Sequence, residues 1–272
     1  MTKFLLASAA ALVLAGCETL PLVGRSDEDS AATIDARLEA ALDAQPDEAK
    51  ARYQYRHPKQ TLEFFGVEPG MTVVDSLPGE IWYSGILAAY LGPDGKVIGA
   101  DYSVPMWTLF GGFADEEYLA KRPDWAADWV SKAADWPYED AAEVGAMVYG
   151  SVPDELAGTA DMVLVVRAMH HFNRLEDEGG FRTQAFADIN KLLKSGGAIG
   201  VVQHRAPVEN SDTWAEGDNG YLKQDQVIAA FEAAGFEFVA ASEINANAKD
   251  RPSEDEFVWR LPPILGTSKE TR

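Results

Sequence analysis

Apolar positions recur along the chain in two rhythms. Ile34, Leu38, Ala41 and Leu42 fall at helical spacing, with Thr33 as the expected N-cap, and Pro46 ends that helix. A short helix is expected to carry Arg52 to Tyr55, and another runs from Pro58 through Leu62 and Phe65 to a stop at Gly66. Beyond Gly66 the rhythm changes. Met71 to Asp75 reads as a continuous apolar strand of the buried parallel type, and Trp82, Ile86, Leu87, Tyr90 and Leu91 form the inner stripe of a helix. Leu91-Gly92-Pro93-Asp94-Gly95 is a turn, and Lys96 to Ala100 is a second strand ending in Asp101.

Further strands are expected over Ala160 to Arg167, Ala198 to Gln203 and Phe236 to about Ala240. Helices over Phe181 to Leu193 and around Val227, Ile228 and Phe231 separate them. Strands alternating with helices imply an α/β domain with a doubly wound, mostly parallel sheet. The stretch from Val104 to Asp140 breaks the alternation. Its Trp107, Trp125, Trp129 and Trp136 suit either a lid over the strand ends or an insertion that buries its own tryptophans.

The first residues follow a different logic. Lys3 precedes an apolar run, Phe4 to Leu14, too short to span a bilayer as a mature helix. It ends in Leu14-Ala15-Gly16-Cys17, which resembles the lipobox of bacterial lipoprotein signals. Residues 1–17 are therefore expected to be a leader outside the fold. Cys17 becomes a lipidated anchor on the periplasmic side of a membrane, and 18–32 a polar tether. Residues 33–272 form the domain, with 104–140 as its tryptophan-rich insertion. Cys17 is the single cysteine, so an internal disulfide and a cysteine-based metal cluster are both excluded. The net charge of −21 argues against nucleic acid as a partner, because phosphate binding relies on clustered Lys and Arg.

Candidate chemistry sits where the strands end. Asp75 closes the first strand and can orient the loop after it, where Gly79 permits close backbone approach. Asp101 closes the second strand, placed to accept hydrogen bonds from a ribose diol. Together they match the nucleoside-binding layout of doubly wound folds. Three of the four histidines follow predicted strands: His170 and His171 after Val166, and His204 after Val202. His170 reads as a candidate base; His57, His171 and His204 read as structural imidazoles. Their spacing does not point to a metal site.

Several stretches sharpen this picture in combination. They are Tyr55-Arg56-His57-Pro58, Thr61 to Gly66, Pro78-Gly79 with Trp82-Tyr83, Arg167 with His170, His204-Arg205, Ile244-Asn245-Ala246-Asn247, and Val258-Trp259 with Leu261-Pro262-Pro263. From about Tyr53 to Leu265 the chain resembles a bacterial family of predicted class I S-adenosylmethionine-dependent methyltransferases. The resemblance implies a seven-stranded Rossmann-like fold acting on a small-molecule substrate. It implies that Asp75, Pro78, Gly79 and Trp82 hold the methionine part of S-adenosylmethionine, that Asp101 holds the ribose, and that His170, Tyr83 and Arg167 are the catalytic set.

The chain departs from that pattern at three places. Where the family has Pro-Gly-Gly-Gly-Trp-Tyr, this chain has Glu80 and Ile81 in place of the last two glycines. Ala168 follows Arg167 where the family has asparagine. After Leu265 no apolar run supplies the family's last strand, so that strand is expected to be missing. A carboxylate at Glu80, beside the cofactor's own, costs on the order of 1 kcal/mol in water and about 4 at an effective dielectric of 20. The alternative to catalysis is thus a non-catalytic periplasmic binding or scaffold lipoprotein on the same fold.

Overall fold

The computed structural model describes residues 2–7, 27–79, 81–261 and 264–266, with the backbone alone for 2–7 and 27–30. In chain order the strands are β1 (Thr2–Ala7), β2 (Thr72–Ser76), β3 (Lys96–Asp101), β4 (Glu143–Val148), β5 (Ala160–Val166), β6 (Leu193–Val202) and β7 (Phe236–Ser242). The helices are α1 (Asp27–Asp43), α2 (Asp47–Lys50), α3 (Tyr53–Arg56), α4 (Pro58–Phe65), α5 (Trp82–Leu91), α6 (Val104–Trp107), α7 (Glu116–Ala120), α8 (Trp125–Ala133), α9 (Met169–Arg174), α10 (Glu176–Gly179), α11 (Phe181–Leu192) and α12 (Gln224–Ala233). Helix α1 begins six residues before the expected cap at Thr33 (33 − 27), at the end of the stretch read as tether.

The strands form one seven-stranded sheet in the order β4-β3-β2-β5-β6-β1-β7, and every pairing is parallel. Alternate residues feed opposite faces, as a pleated strand requires. Val73, Val97, Met162 and Leu164 pack with Leu38, Leu62, Ile86 and Trp129 from α1, α4, α5 and α8. Val74, Ile98, Val163, Val165, Ile199 and Val201 pack with Phe186, Ile189 and Phe231 from α11 and α12. Burial on both faces explains why these strands read as continuous apolar runs. Each fully buried aliphatic side chain contributes about 1.5–3 kcal/mol.

Two strands differ from expectation. β4 carries a weak pattern, with glycine and alanine inside and glutamate at its start, and it owes its place to pairing along all six residues of β3. β1 lies between β6 and β7 and pairs with both, so the sheet has a seventh strand after all, supplied from the N-terminal end. This differs from a leader lying wholly outside the fold. The physical reason is that a short apolar run suits a leader core and a buried parallel strand equally, and periodicity cannot separate them. Cys17 and the rest of residues 8–26 lie outside the described residues. Among the described residues no helix is long and apolar enough to cross a membrane.

Candidate active site

All strands being parallel, β2, β3, β5 and β6 present their C-terminal ends along one edge. The chain runs outward from β2 to β3 and β4, then returns to β5 on the other side of β2, so the strand order reverses between β2 and β5. Ligands of doubly wound sheets bind at that crevice. Ser76 is paired with Val165, which sets Leu77 and Pro78 of one loop against Val166 and Arg167 of the other.

Asp75 is 3% exposed and accepts the Ser84 hydroxyl at 2.6 Å, which ties the end of β2 to the first turn of α5. Burial raises its pKa to about 6, partly offset by the Ser84 hydrogen bonds. Leu77 donates its N–H to the Ala100 carbonyl at 2.7 Å, and the loop then passes through left-handed backbone at Leu77 (φ 55°), Gly79 (57°) and Ile81 (56°). A Cβ at Gly79 would meet no neighbour nearer than the Leu77 carbonyl oxygen at 3.9 Å, so the turn is open to an approaching group. Pro78 is buried. Trp82 points elsewhere: its indole N–H donates to the Ala49 carbonyl at 3.1 Å and its ring lies under the Arg56 guanidinium at 4.7 Å. Glu80 lies outside the described residues.

Asp101 is already engaged. Its Oδ2 accepts the Trp107 indole N–H at 3.2 Å and the Arg122 guanidinium at 3.1 Å, and its side chain is 4% exposed. Arg122 also lies over the Tyr118 ring at 4.2 Å. Burial raises the Asp101 carboxyl to about 6, outweighing the opposing pull of the Tyr102 N–H, Arg122 and Trp107. The expected insertion therefore splits into two parts. Its first half, α6 to α7, closes on Asp101. Its second half, α8, lays Trp129 across β3, where a Cβ at Gly99 would lie 2.8 Å from that ring, stacks it on Trp125 and sets it edge-on to Trp136. Sequence reading placed Trp107 in this segment without a role and missed Arg122. An aspartate and an arginine 21 residues apart carry no local signal of pairing.

Beyond β5, Arg167 adopts a left-handed φ of 55° and donates its N–H to the Val202 carbonyl at 2.7 Å. His170 and His171 lie on α9 rather than in a loop. The Gln203 side-chain N–H donates to the Gly220 carbonyl at 2.8 Å, so its Oε1 faces His170 and accepts from both the backbone N–H (3.3 Å) and Nδ1 (3.2 Å). That assignment leaves Nε2 of His170 as a lone-pair acceptor, buried and without a partner among the described residues. Burial pushes the His170 pKa down to about 3. His171 meets the Tyr102 hydroxyl at 3.1 Å, and His204 faces Asp250 at 3.7 Å. Tyr83 is buried against Thr61, and burial raises its phenol to about 12.

The structure thus brings Asp75, Pro78, Gly79, Tyr83, Arg167 and His170 to the edge where β2 and β5 diverge, with Asp101 one strand away behind its two donors. A cavity of about 220 Å³, lined by Ser103, Met106, Tyr149, Phe172 and Thr183 among others, lies beyond β3 and β4 and does not include these residues. Among the described residues, no group of three or more histidine, cysteine or acidic side chains is arranged to hold a metal ion.

The fold is a doubly wound α/β sheet whose strands all run parallel. No family model matches the chain, and no curated protein matches it in sequence. Among solved structures it is similar to a SAM-dependent methyltransferase from Aquifex aeolicus, at 17% identity and a TM-score of 0.46, over 74% of this chain and 87% of that one. It is also similar to an arsenic(III) S-adenosylmethionine methyltransferase from Chlamydomonas reinhardtii, at 16% identity and a TM-score of 0.40, covering 73% of this chain. The CurJ carbon methyltransferase shows 15% identity and a TM-score of 0.40, covering 78% of this chain. The chain spans 61% of the length of each of the latter two.

Proposed function

We propose that this chain transfers a methyl group from S-adenosylmethionine to a small-molecule acceptor. The observation that carries this reading is the pair of buried carboxylates, Asp75 and Asp101, closing adjacent parallel strands beside the crevice between β2 and β5. Asp75 would order the loop, and Pro78-Gly79 would bring backbone to the methionine end. The site fits the ribose end only when Trp107 and Arg122 withdraw from Asp101. When bound, the cofactor supplies an electrophilic methyl group. The chain's own work is to align an acceptor against it and exclude water. Arg167 and Tyr83 line the acceptor side in this reading. His170 Nε2 offers a weak lone pair, suited to an acceptor whose proton is already acidic.

The same reading keeps the lipid anchor at Cys17, on the support of Leu14-Ala15-Gly16-Cys17, and so places the domain on the periplasmic face of a bacterial membrane. A second reading, a non-catalytic binding lipoprotein, is favoured by one observation: Asp101 is held by the protein's own donors. Calorimetric titration of S-adenosylmethionine into the full chain and into Arg122→Ala separates the two. Methyl transfer expects binding that tightens at least about tenfold in the variant, because one competing charged donor is gone. Absence of binding to both proteins supports the second reading.

A further inference from the structure

The six residues of β1 fill the inside of the sheet rather than its rim. Lys3 to Ala7 pair in parallel with Ala198 to Val202 of β6, and Thr2 to Ala7 pair in parallel with positions from Phe236 to Ser242 of β7. On its far side β6 is paired with β5, whereas β7 meets no other strand among the described residues. Neighbouring strands lie about 4.8 Å apart, so β6 and β7 face each other across roughly twice that distance. Among the described residues, β1 is what satisfies the backbone groups along their facing edges.

β7 does not depend on β1 for its position. Just before it, Gly235 closes α12 by donating its N–H to the Glu232 carbonyl at 3.0 Å, and Asn190 of α11 donates to the Ala234 carbonyl at 3.2 Å. Phe236 is buried, and its ring meets Phe231 of α12 at 5.6 Å and Phe186 of α11 at 6.3 Å. Just after the strand, Glu243 meets Arg205 at 3.5 Å, and Asn245 donates to the Thr61 hydroxyl of α4 at 3.0 Å. Both ends of β7 are thus pinned by other elements. Sliding it by one strand spacing to pair with β6 would break these contacts, so the gap stays open when β1 leaves.

The resident strand shows what the gap takes. Phe4-Leu5-Leu6-Ala7 is uncharged and apolar, its backbone is extended, and it runs in the same direction as both walls. A peptide added to a sheet rim pairs along one edge; one inserted here pairs along two. A second copy beginning at Cys17 lacks this run. Its nearest equivalent, Leu20 to Val23, is interrupted by Pro21, which cannot donate to a ladder.

We propose that the gap between β6 and β7 is a strand-accepting site. In the precursor β1 fills it; in the form beginning at Cys17 it takes an extended apolar peptide from a partner polypeptide, parallel to both walls. Unpaired strand edges recruit other chains, and here two such edges face each other at the spacing of one inserted strand. The opening of the site rests on the anchoring reading given above, in which the leader is removed, and is independent of methyl transfer.

The test starts from the full chain, folded with β1 in place and carrying a protease site within residues 8–16. After the cut, the N-terminal fragment is expected to co-elute with the domain in gel filtration. A labelled synthetic peptide of residues 1–16 is the probe, and it should exchange into the cut protein. Leu5→Pro in the peptide should weaken its affinity at least about tenfold, because proline removes a ladder donor. The uncut wild-type chain should bind the probe at least about tenfold more weakly than the cut one, since its own β1 holds the site at high effective concentration. Leu5→Pro in the uncut chain should free the site and restore binding.

A fragment that leaves at once, from a domain that keeps its cooperative melt and ignores the added peptide, overturns the site. Unfolding of the domain when the fragment is displaced overturns it too, and makes β1 a permanent part of the fold. A fragment-free domain that dimerises and thereby excludes the peptide gives the gap to a second copy and overturns the partner assignment. If the cut protein binds the peptide but cells retain residues 1–16 on the chain, the site stands and its opening by leader removal falls.

Discussion

Ile81 carries a branched side chain at φ 56°, where a β-branched residue is an outlier and glycine is at ease. A new glycine ordinarily costs folding entropy, yet at this N-cap position it relieves strain. Ile81→Gly is expected to leave stability unchanged or raise it by about 1 kcal/mol in urea unfolding, against the usual loss for a new glycine. The departure from the glycine-rich pattern, legible in the sequence as bulk, is in the structure also a departure in backbone energy. His170 supplies a pH prediction at the same scale. Its folded pKa of about 3 lies below the ordinary value of 6.5, so the folded state binds fewer protons between them. Its contribution is complete above pH 6.5 and is lost as pH falls toward 3, at about 1.4 kcal/mol per unit. Asp75 and Asp101, raised to about 6, act in the opposite sense: their contribution is complete below 3.8 and is lost as pH rises through 6. His170→Asn should therefore flatten the acid limb of the stability curve relative to wild type, measured by chemical unfolding between pH 6.5 and 4. An unchanged acid limb would show that His170 titrates normally.

At the scale of elements, the two halves of the 104–140 insertion make different demands. α8 is core: Trp129 is buried against β3 and its neighbouring tryptophans, so Trp129→Ala should cost about 3–5 kcal/mol of stability. The α6–α7 half closes a site. Trp107→Phe keeps its aromatic contacts with Tyr102 and Phe110 but loses the hydrogen bond to Asp101. The expected outcome is a small stability change with a measurable gain in S-adenosylmethionine affinity by calorimetry. Unaltered affinity in Trp107→Phe would mean that this hydrogen bond does not limit access. Sequence reading recognised the segment as exceptional because four tryptophans stood among acids. It could not divide the segment, because the division depends on which tryptophan meets Gly99 and which meets Asp101.

At the scale of the molecule, β1 occupies the place between β6 and β7, and among the described residues β7 has no other strand partner. A leader cleaved before Cys17 would carry β1 away, so the precursor and a form beginning at Cys17 should differ in one region. Amide exchange is expected to rise in β6 and β7 of the shorter form and to stay slow in β2, β3 and β5. Uniform exchange in the two forms would show that β1 contributes nothing to the sheet. Anchoring has its own check: Cys17→Ser should abolish fatty-acid labelling in cells, and equal label on both proteins would overturn the anchor.

The amino-acid pattern alone determined the alternation of β2, α5, β3, β5, α11, α12 and β7, because each is a local apolar rhythm bounded by glycine, proline or a charge. It also determined that Asp75, Asp101, Arg167 and His170 close strands or follow them, since a parallel sheet sends those positions to one edge. What the tertiary structure decided is long-range. β4 was invisible because Gly145 and Ala146 give no apolar rhythm and its strand character comes from β3. The role of β1 was ambiguous because one short hydrophobic run serves two fates. The engagement of Asp101 by Trp107 and Arg122, and the pairing of His170 with Gln203, join segments well apart in the chain. Charge pairing and burial are properties of neighbours in space, and spacing along a sequence does not encode them.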